Sequence, residues 1–420
     1  MQLTIASDRQ LISTKGGSVR HLHLCLQAPI ADTDVQRPSL DLALVLDRSG
    51  SMSGEKWERA CQAAQQVARR LQPTDRLAVV AFDTEVDTVL PPSPGGRNLA
   101  KALAEALTNY GPRGGTNLGA GWLSGCALVG DADEHQRLRR CFLMTDGQAN
   151  DGITEPAELA HHASELARRG VRTSTFGIGD DFEEGLLGPL ADAGGGAFFD
   201  IAEASGIAPA LDRELGETLA VVERSVTLRL NAPGIKLEVL GNRPTHWDGT
   251  DFVIDLGDLV SDQELDILIR CSFPAGAVDT TMGFAATLAS ARGPLGSQAY
   301  QWIFAARRLN KVQGRNRAVD LKVAQQCANL ARRDATLRNR DGDLSGSAAL
   351  LFSMAEEIRA FAFGDSALLA IVDTLEQEAH QRREQRLEAR EAKEVYTLFS
   401  HATSCMDVDG TRRRSGRVEF

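Results

Sequence analysis

Residues 40–52 read Leu-Asp-Leu-Ala-Leu-Val-Leu-Asp-Arg-Ser-Gly-Ser-Met, and no other stretch restricts the fold of this chain as much. From Leu42 to Leu46 every residue is apolar. A strand without a solvent face belongs in a parallel sheet covered by helices on both sides. The apolar run stops at Asp47, and Ser49 and Ser51 follow at alternate positions around Gly50. Three short oxygen-bearing side chains thus share one tight turn at the carboxyl end of a strand, where open α/β sheets bind their ligands. Oxygen-only donors suit a hard cation such as Mg²⁺. One carboxylate and two hydroxyls leave such an ion undercharged, so further ligands must come from elsewhere.

Two later segments can supply them. Gly114-Gly115-Thr116-Asn117-Leu118 is a glycine turn that presents a hydroxyl before a helical stretch, and Leu143-Met144-Thr145-Asp146-Gly147 ends another apolar run on an aspartate. Asp47-x-Ser49-x-Ser51, Thr116 and Asp146 occur in the order and contexts of the von Willebrand factor A domain, which residues 38–222 resemble. The resemblance implies a metal-ion-dependent adhesion site with Asp47, Ser49, Ser51, Thr116 and Asp146 as ligands. It implies Mg²⁺ as the cofactor, with Mn²⁺ or Ca²⁺ as alternatives, and a partner protein whose Asp or Glu completes the metal shell. The closing helix, read as Ile207 to Val222, would shift as that happens. Intracellular relatives work beside AAA-type ATPases, so such a system is the partner class the resemblance suggests. The layout is similar to that of bacterial intracellular proteins of this kind with flanking β-sandwich segments.

Composition narrows the class. A chain of 420 residues allows about two or three domains. Its net charge of −11 argues against nucleic acid or an anionic membrane as a partner. No apolar run is long enough to span a bilayer. Met1 to Gln10 alternates apolar and polar residues and reads as a strand, not a signal peptide. The 7 cysteines are scattered and show no paired zinc spacing, the pattern of buried reduced thiols in a cytoplasmic protein. His21 and His23 share one strand face, but with no third ligand nearby in sequence they read as exposed or core-edge histidines.

The hydrophobic period divides the chain. Residues 38–223 alternate strand and helix patterns, predicting a doubly wound, mostly parallel sheet. Residues 91–97, rich in proline and glycine, read as a loop. Residues 224–304 alternate with period two, at Val226, Leu228 and Leu230, then Ile235, Leu237 and Val239, then Phe252, Ile254 and Leu256, and onward to Phe304. These are antiparallel strands of a sandwich, and the strands of residues 1–37 complete it. The α/β domain is therefore expected to be inserted into the sandwich. Residues 305–400 read as an α-helical region, with one helix over 372–399, and residues 401–420 as a disordered tail with a basic cluster at Arg412 to Arg414. Asp341-Gly342-Asp343 lacks the flanking ligands of a calcium loop and reads as a solvated turn.

A Mg²⁺-dependent phosphoesterase-type hydrolase is the alternative function. It needs a second carboxylate two residues after the first as acid/base. Ser49 stands there, and no lysine follows in a fitting place. No phosphate-binding Gly-x-x-x-x-Gly-Lys-Ser/Thr occurs, and a serine nucleophile with His161 or His162 has no supporting spacing. Asp151 and Asp180 read as loop or supporting residues, not ligands. The chain is read as a metal-dependent protein–protein interaction module, not an enzyme, with no catalytic residue.

Overall fold

The computed structural model describes residues 1–32, 37–130, 137–403, 405–407 and 411–414. In chain order its strands and helices are β1 (Gln2–Ser7), β2 (Leu11–Ser13), β3 (Ser18–Gln27), β4 (Leu40–Asp47), α1 (Glu55–Arg70), β5 (Arg76–Phe82), β6 (Val86–Pro94), α2 (Leu99–Leu107), α3 (Leu118–Gly130), β7 (Leu138–Thr145), α4 (Pro156–Arg168), β8 (Val171–Ile178), α5 (Glu184–Gly194), β9 (Gly195–Ile201) and α6 (Ile207–Leu219). There follow β10 (Val221–Asn231), β11 (Lys236–Val239), β12 (Thr245–Asp248), β13 (Asp251–Val260), β14 (Glu264–Phe273), β15 (Thr281–Ser290), β16 (Gly293–Ala305), α7 (Arg307–Val312), α8 (Arg317–Arg340), α9 (Leu344–Ala362), α10 (Ser366–Glu384) and α11 (Ala389–Thr403). They form two compact units, residues 32–221 and residues 1–31 with 222–420.

The first unit is a six-stranded sheet in the order β6-β5-β4-β7-β8-β9. β4 runs parallel to both β5 and β7, and only β6 is antiparallel to its neighbour. All of β4 is buried, as its apolar run requires. Helix α3 lies against β4 and β5 because two of its glycines let it approach. A Cβ at Gly121 would fall 2.5 Å from Phe82, and one at Gly125 only 2.3 Å from Val45. This contact seats the amino end of α3, and with it the Thr116 turn, beside the end of β4. At the opposite end of β4 the buried Asp75 carboxylate accepts from the Leu40 and Gln72 N–H groups (2.9 and 2.8 Å) and pairs with Arg37.

Two elements depart from the sequence reading here. The proline-rich residues expected to be loop continue β6 as far as Pro94. β6 is an edge strand, where a missing N–H costs no ladder bond. Helix α6 stops at Leu219 and not at Val222, because the chain turns at Ala220 and β10 starts at Val221.

The second unit holds a sandwich of a four-stranded sheet, β1-β3-β14-β11, and a six-stranded sheet, β12-β13-β10-β15-β16-β2. β3 pairs with β1 on one side and β14 on the other, so the first residues of the chain are hydrogen-bonded to residues beyond 260. Leu22, Leu24 and Leu26 enter a core shared with Val226, Leu228, Leu230, Ile267, Ile269 and Trp302. The Trp302 indole N–H donates to Ser7 Oγ at 3.0 Å, tying β16 of one sheet to β1 of the other. The α/β unit is thus inserted into a sandwich whose one departure from the expected antiparallel pairing, among the described strand pairs, is β2 beside β16, which run parallel. β2 and β12 escaped the sequence reading: β2 is three residues long, and β12 is exposed along its whole length and shows no alternation.

The helical region begins by covering the outer face of the four-stranded sheet, where Val319, Val323 and Cys327 of α8 meet Leu240 and Leu268. An alanine-lined seam then joins α8, α9 and α10, through Ala324, Ala328, Ala331, Ala335, Ala348 and Ala355 among others. Asp343, in the expected solvated turn, caps α9 by accepting from the Gly346 N–H at 2.8 Å. The helix expected over 372–399 is two helices. The break is made by the fully buried Asn339 of α8, whose amide donates to the Arg382 and Gln385 carbonyls (3.2 and 3.0 Å) and accepts from the Leu387 N–H (2.7 Å). The tail expected to be disordered is docked where it is described. Cys405 is buried, the Glu264 N–H donates to the Arg413 carbonyl (2.9 Å), and Arg414 bridges to Gln263. Its partners lie far back in the sequence, so no local pattern announces them. Residues 404, 408–410 and 415–420 lie outside the described residues.

Candidate metal centre

The end of β4 gathers side chains from three loops. Asp47 is fully buried, and both its oxygens are engaged: Oδ1 accepts from the Ser49 N–H (2.7 Å) and Oδ2 from the Thr145 hydroxyl (2.5 Å). Ser49 Oγ lies 3.0 Å from Ser51 Oγ, and Ser51 donates to Asp146 Oδ1 at 2.6 Å. Thr116 enters from the turn before α3. A Cβ built on Gly147 would stand 3.5 Å from Thr116 Oγ1 and 3.7 Å from Ser51 Oγ, so these two hydroxyls flank the same glycine. Glycine at 147 leaves the space between them open. Asp47, Ser49, Thr116 and Asp146 are buried, whereas Ser51 is exposed and gives the cluster its open side.

Main-chain bonds fix the loops to one another. The Gly50 N–H donates to the Gly114 carbonyl (3.3 Å), the Arg113 N–H to the Arg48 carbonyl (2.7 Å) and the Asn117 N–H to the Asp83 carbonyl (2.8 Å). Asn150 holds the Thr116 segment from both sides: its side chain accepts from the Thr116 N–H (2.8 Å), and its own N–H donates to the Thr116 carbonyl (3.2 Å). Gly114 has a φ of +68°, the left-handed region that favours glycine.

Arg48, between the ligand-type residues, turns away from them. It pairs with Asp83 at 2.9 Å and with Asp87, and stacks over Tyr110 at 5.2 Å. Arg113 also meets Asp83 at 2.7 Å. Burial alone would raise the Asp83 carboxyl, but the Glu85 N–H, Arg113 and Arg48 outweigh it and hold the group below its ordinary range. This braces the loop without entering the oxygen cluster. Neither Arg48 nor Asp83 was given a functional role from the sequence, where Asp83 reads only as part of a tight turn.

The electrostatics of the cluster are uneven. Burial pushes the Asp47 carboxyl up to about 6; its hydrogen bonds from Thr145 and Ser49 recover part of the cost, and the charge of Asp146 adds to the rise. Asp146 is paired with Lys56 of α1. The expectation that no lysine stands in a fitting place is corrected here: α1 folds back so that Lys56 reaches the carboxylate across the turn. Among the described residues no side-chain cation pairs with Asp47, and a buried carboxylate in that state is what an added cation stabilises. An all-oxygen donor set, two carboxylates and three hydroxyls, fits a hard divalent ion.

The other sequence candidates lie elsewhere. Asp151 and Asp180 are exposed, and the Asp151 carboxylate accepts from the Gly152 N–H in its own loop. His161 and His162 sit on α4, where His162 faces Glu158 at 4.0 Å. Among the described residues no helix is long and apolar enough to cross a membrane.

Comparison with known proteins agrees with this fold. Residues 41–211 match the model of the von Willebrand factor type A domain. An uncharacterized protein of Synechocystis sp. is 32% identical over 194 residues, which cover 46% of this chain and 44% of that protein. The chain therefore spans less than half the length of this curated relative. The solved structure described as von Willebrand factor type A from Catenulispora acidiphila superposes with a TM-score of 0.73 at 18% identity, over 94% of this chain and 96% of its own. The ArnB paralog VWA2 from Sulfolobus acidocaldarius gives a TM-score of 0.60 at 14% identity, over 90% and 97%. At such identities the likeness is one of fold, and it extends through the sandwich and the helical region. Residues 41–211 of this chain thus form a von Willebrand factor type A domain, with the oxygen cluster at the carboxyl end of its sheet.

Proposed function

We propose that the chain is a metal-dependent protein-interaction module, in which Asp47, Ser49, Ser51, Thr116 and Asp146 hold Mg²⁺ and an acidic side chain of a partner completes its shell. The observation that carries the reading is the convergence of these oxygens from three loops around a buried carboxylate that no side-chain cation pairs with among the described residues. Bound there, a divalent cation supplies a coordination position that attracts a carboxylate. The chain's own residues do the rest. Thr145 and the Ser49 N–H orient Asp47, Asn150 sets the position of Thr116, and the Arg48–Asp83–Arg113 group keeps the loops in register. Ser51, the exposed member, marks the side open to a partner.

Hydrolysis fits less well. The position two residues after Asp47 carries a hydroxyl already engaged with Ser51, and a neutral hydroxyl is a poor acid or base near pH 7. All 7 cysteines are free, which accords with a reducing compartment such as the cytoplasm. The test is affinity capture from native lysate, comparing Mg²⁺ with EDTA and wild type with Asp47→Ala. Partners retained only by wild type in Mg²⁺ are the expected result. Capture that survives both EDTA and the substitution would move the interface away from the metal.

A further inference from the structure

A second cluster of ligand-type side chains lies in the other unit, on the outer face of the four-stranded sheet. In β3, Leu22, Leu24 and Leu26 point into the core, so His23 and Cys25 lie on the opposite face. Cys25 stands directly across from Asp266 of β14 in the antiparallel ladder, and directly opposed residues share a face. On the other flank β1 places Thr4 opposite Cys25 and Ala6 opposite His23, both small. The sequence offered the two histidines no third ligand; the pairing of β3 with β14 brings one from more than two hundred residues away.

We propose that His23, Cys25 and Asp266 form a binding site for a zinc-class divalent ion, separate from the oxygen cluster. One donor atom from each residue lies within 4.8 Å of the other two. With zinc–ligand bonds of about 2.0–2.3 Å, a tetrahedral ion holds its donors roughly 3.3–3.8 Å apart, so side-chain adjustment suffices. His23 Nε2 faces Asp266 Oδ1 at 2.6 Å, and the ion replaces the proton between them. The carboxylate is held by its other oxygen: Lys322 of α8 donates to Oδ2 at 3.0 Å, and Arg413 stands 3.6 Å from it. That arrangement leaves Oδ1 to the ion while Oδ2 fixes the carboxylate, as supporting hydrogen bonds do in metal centres. Imidazole, thiol and carboxylate together suit zinc better than magnesium, which prefers oxygen alone. The His23 and Asp266 side chains are 17% and 9% exposed, so the site is sheltered yet reachable. The fourth position falls to water or to Cys405, whose thiol donates to the Asp266 carbonyl at 3.4 Å.

A purely structural ion network would use His23, Asp266, Lys322 and Arg413 but would have no need of Cys25. The test therefore reads sulfur ligation directly. The full chain, reduced and stripped with a chelator, is titrated with Co²⁺ in excess Mg²⁺, and the thiolate-to-cobalt charge-transfer band is followed. An oxygen-only centre cannot produce that band. The expected result is a band that saturates at one equivalent in wild type and equally in Asp47→Ala, and that Zn²⁺ displaces. Cys25→Ser should remove the band, or reduce it to the share of one thiolate where Cys405 also ligates, and His23→Gln should weaken Co²⁺ binding. Lys322→Met should weaken binding by about 10- to 100-fold. A reduced band in Cys405→Ser would identify that thiol as the fourth ligand; an unchanged band would assign the position to water. Circular dichroism of each variant verifies the fold. Absence of the band in folded, reduced wild type, or an unreduced band in folded Cys25→Ser, would overturn the proposal.

Discussion

The α/β unit and the β-sandwich reach their folded states by opposite routes. The first is one continuous stretch, residues 32–221; α1, α4 and α5 join the parallel pairs β4–β5, β7–β8 and β8–β9, while β4 and β7 are joined through β5, β6, α2 and α3. The second is assembled from the two ends of the chain, and β3, from the first thirty residues, sits between β1 and β14. Their carboxylates differ in the same way. Asp47 is pushed up to about 6 by burial. Burial would likewise raise Asp266, but the hydrogen bond from His23 and the charge of Lys322 outweigh it and hold that carboxyl below its ordinary range. One unit holds a carboxylate raised by burial; the other holds one lowered by partners drawn from distant parts of the chain. A contiguous unit can expose an incomplete site on its loops, whereas a discontinuous one depends on cross-connections to close at all.

The largest expected effect follows from that dependence. Removing residues 1–27 deletes β1, β2 and β3, leaving β14 without its central partner and the core without Leu22, Leu24 and Leu26. Circular dichroism and thermal melts should show the sandwich of that fragment failing to unfold cooperatively, while a fragment of residues 38–222 alone gives a cooperative transition. Equal melting of the truncated and full chains would erase the distinction between the units.

A smaller effect is expected inside the contiguous unit. Asp75 joins Arg37 and the Leu40 and Gln72 N–H groups, and although burial opposes it, these partners hold its carboxyl below the ordinary range. A depressed carboxyl stabilises the fold above the unfolded-state value near 4 and loses that contribution as pH falls through the folded-state value. Asp75→Asn should therefore cost about 1–3 kcal/mol near neutral pH. The gap from wild type should close on acidification. A gap that widens in acid would contradict the assignment.

What could be read from the sequence follows the same division. The apolar run of β4 and the Asp47, Thr116 and Asp146 segments are local patterns; Asp47 and Asp146 lie where strands end, and Thr116 lies in the turn that opens α3. Period-two alternation also revealed the buried strands of the sandwich. The break between α10 and α11 could not be read, because no glycine or proline makes it; Asn339, some fifty residues earlier, does. Nor could Lys56 beside Asp146, Asp266 beside His23, or the docking of residues 411–414 on β14. Each joins groups that sequence spacing leaves unrelated. The local supports were visible as residue types but not as partners: Thr145 and Asn150 stand in the motif region, yet only the fold shows which oxygens and N–H groups they hold.

Calorimetric titration of the metal-free full chain with Mg²⁺ or Mn²⁺ reads whether the oxygens at the end of β4 hold a cation. Wild type should bind one ion at the cluster. Asp47→Ala should keep the fold and lose that binding. At a hundredfold excess over the dissociation constant, the ion should stabilise the wild-type domain by about 2.7 kcal/mol. Failure of wild type to bind either ion at saturating excess, or equal binding by folded Asp47→Ala, would contradict the metal centre proposed for these oxygens.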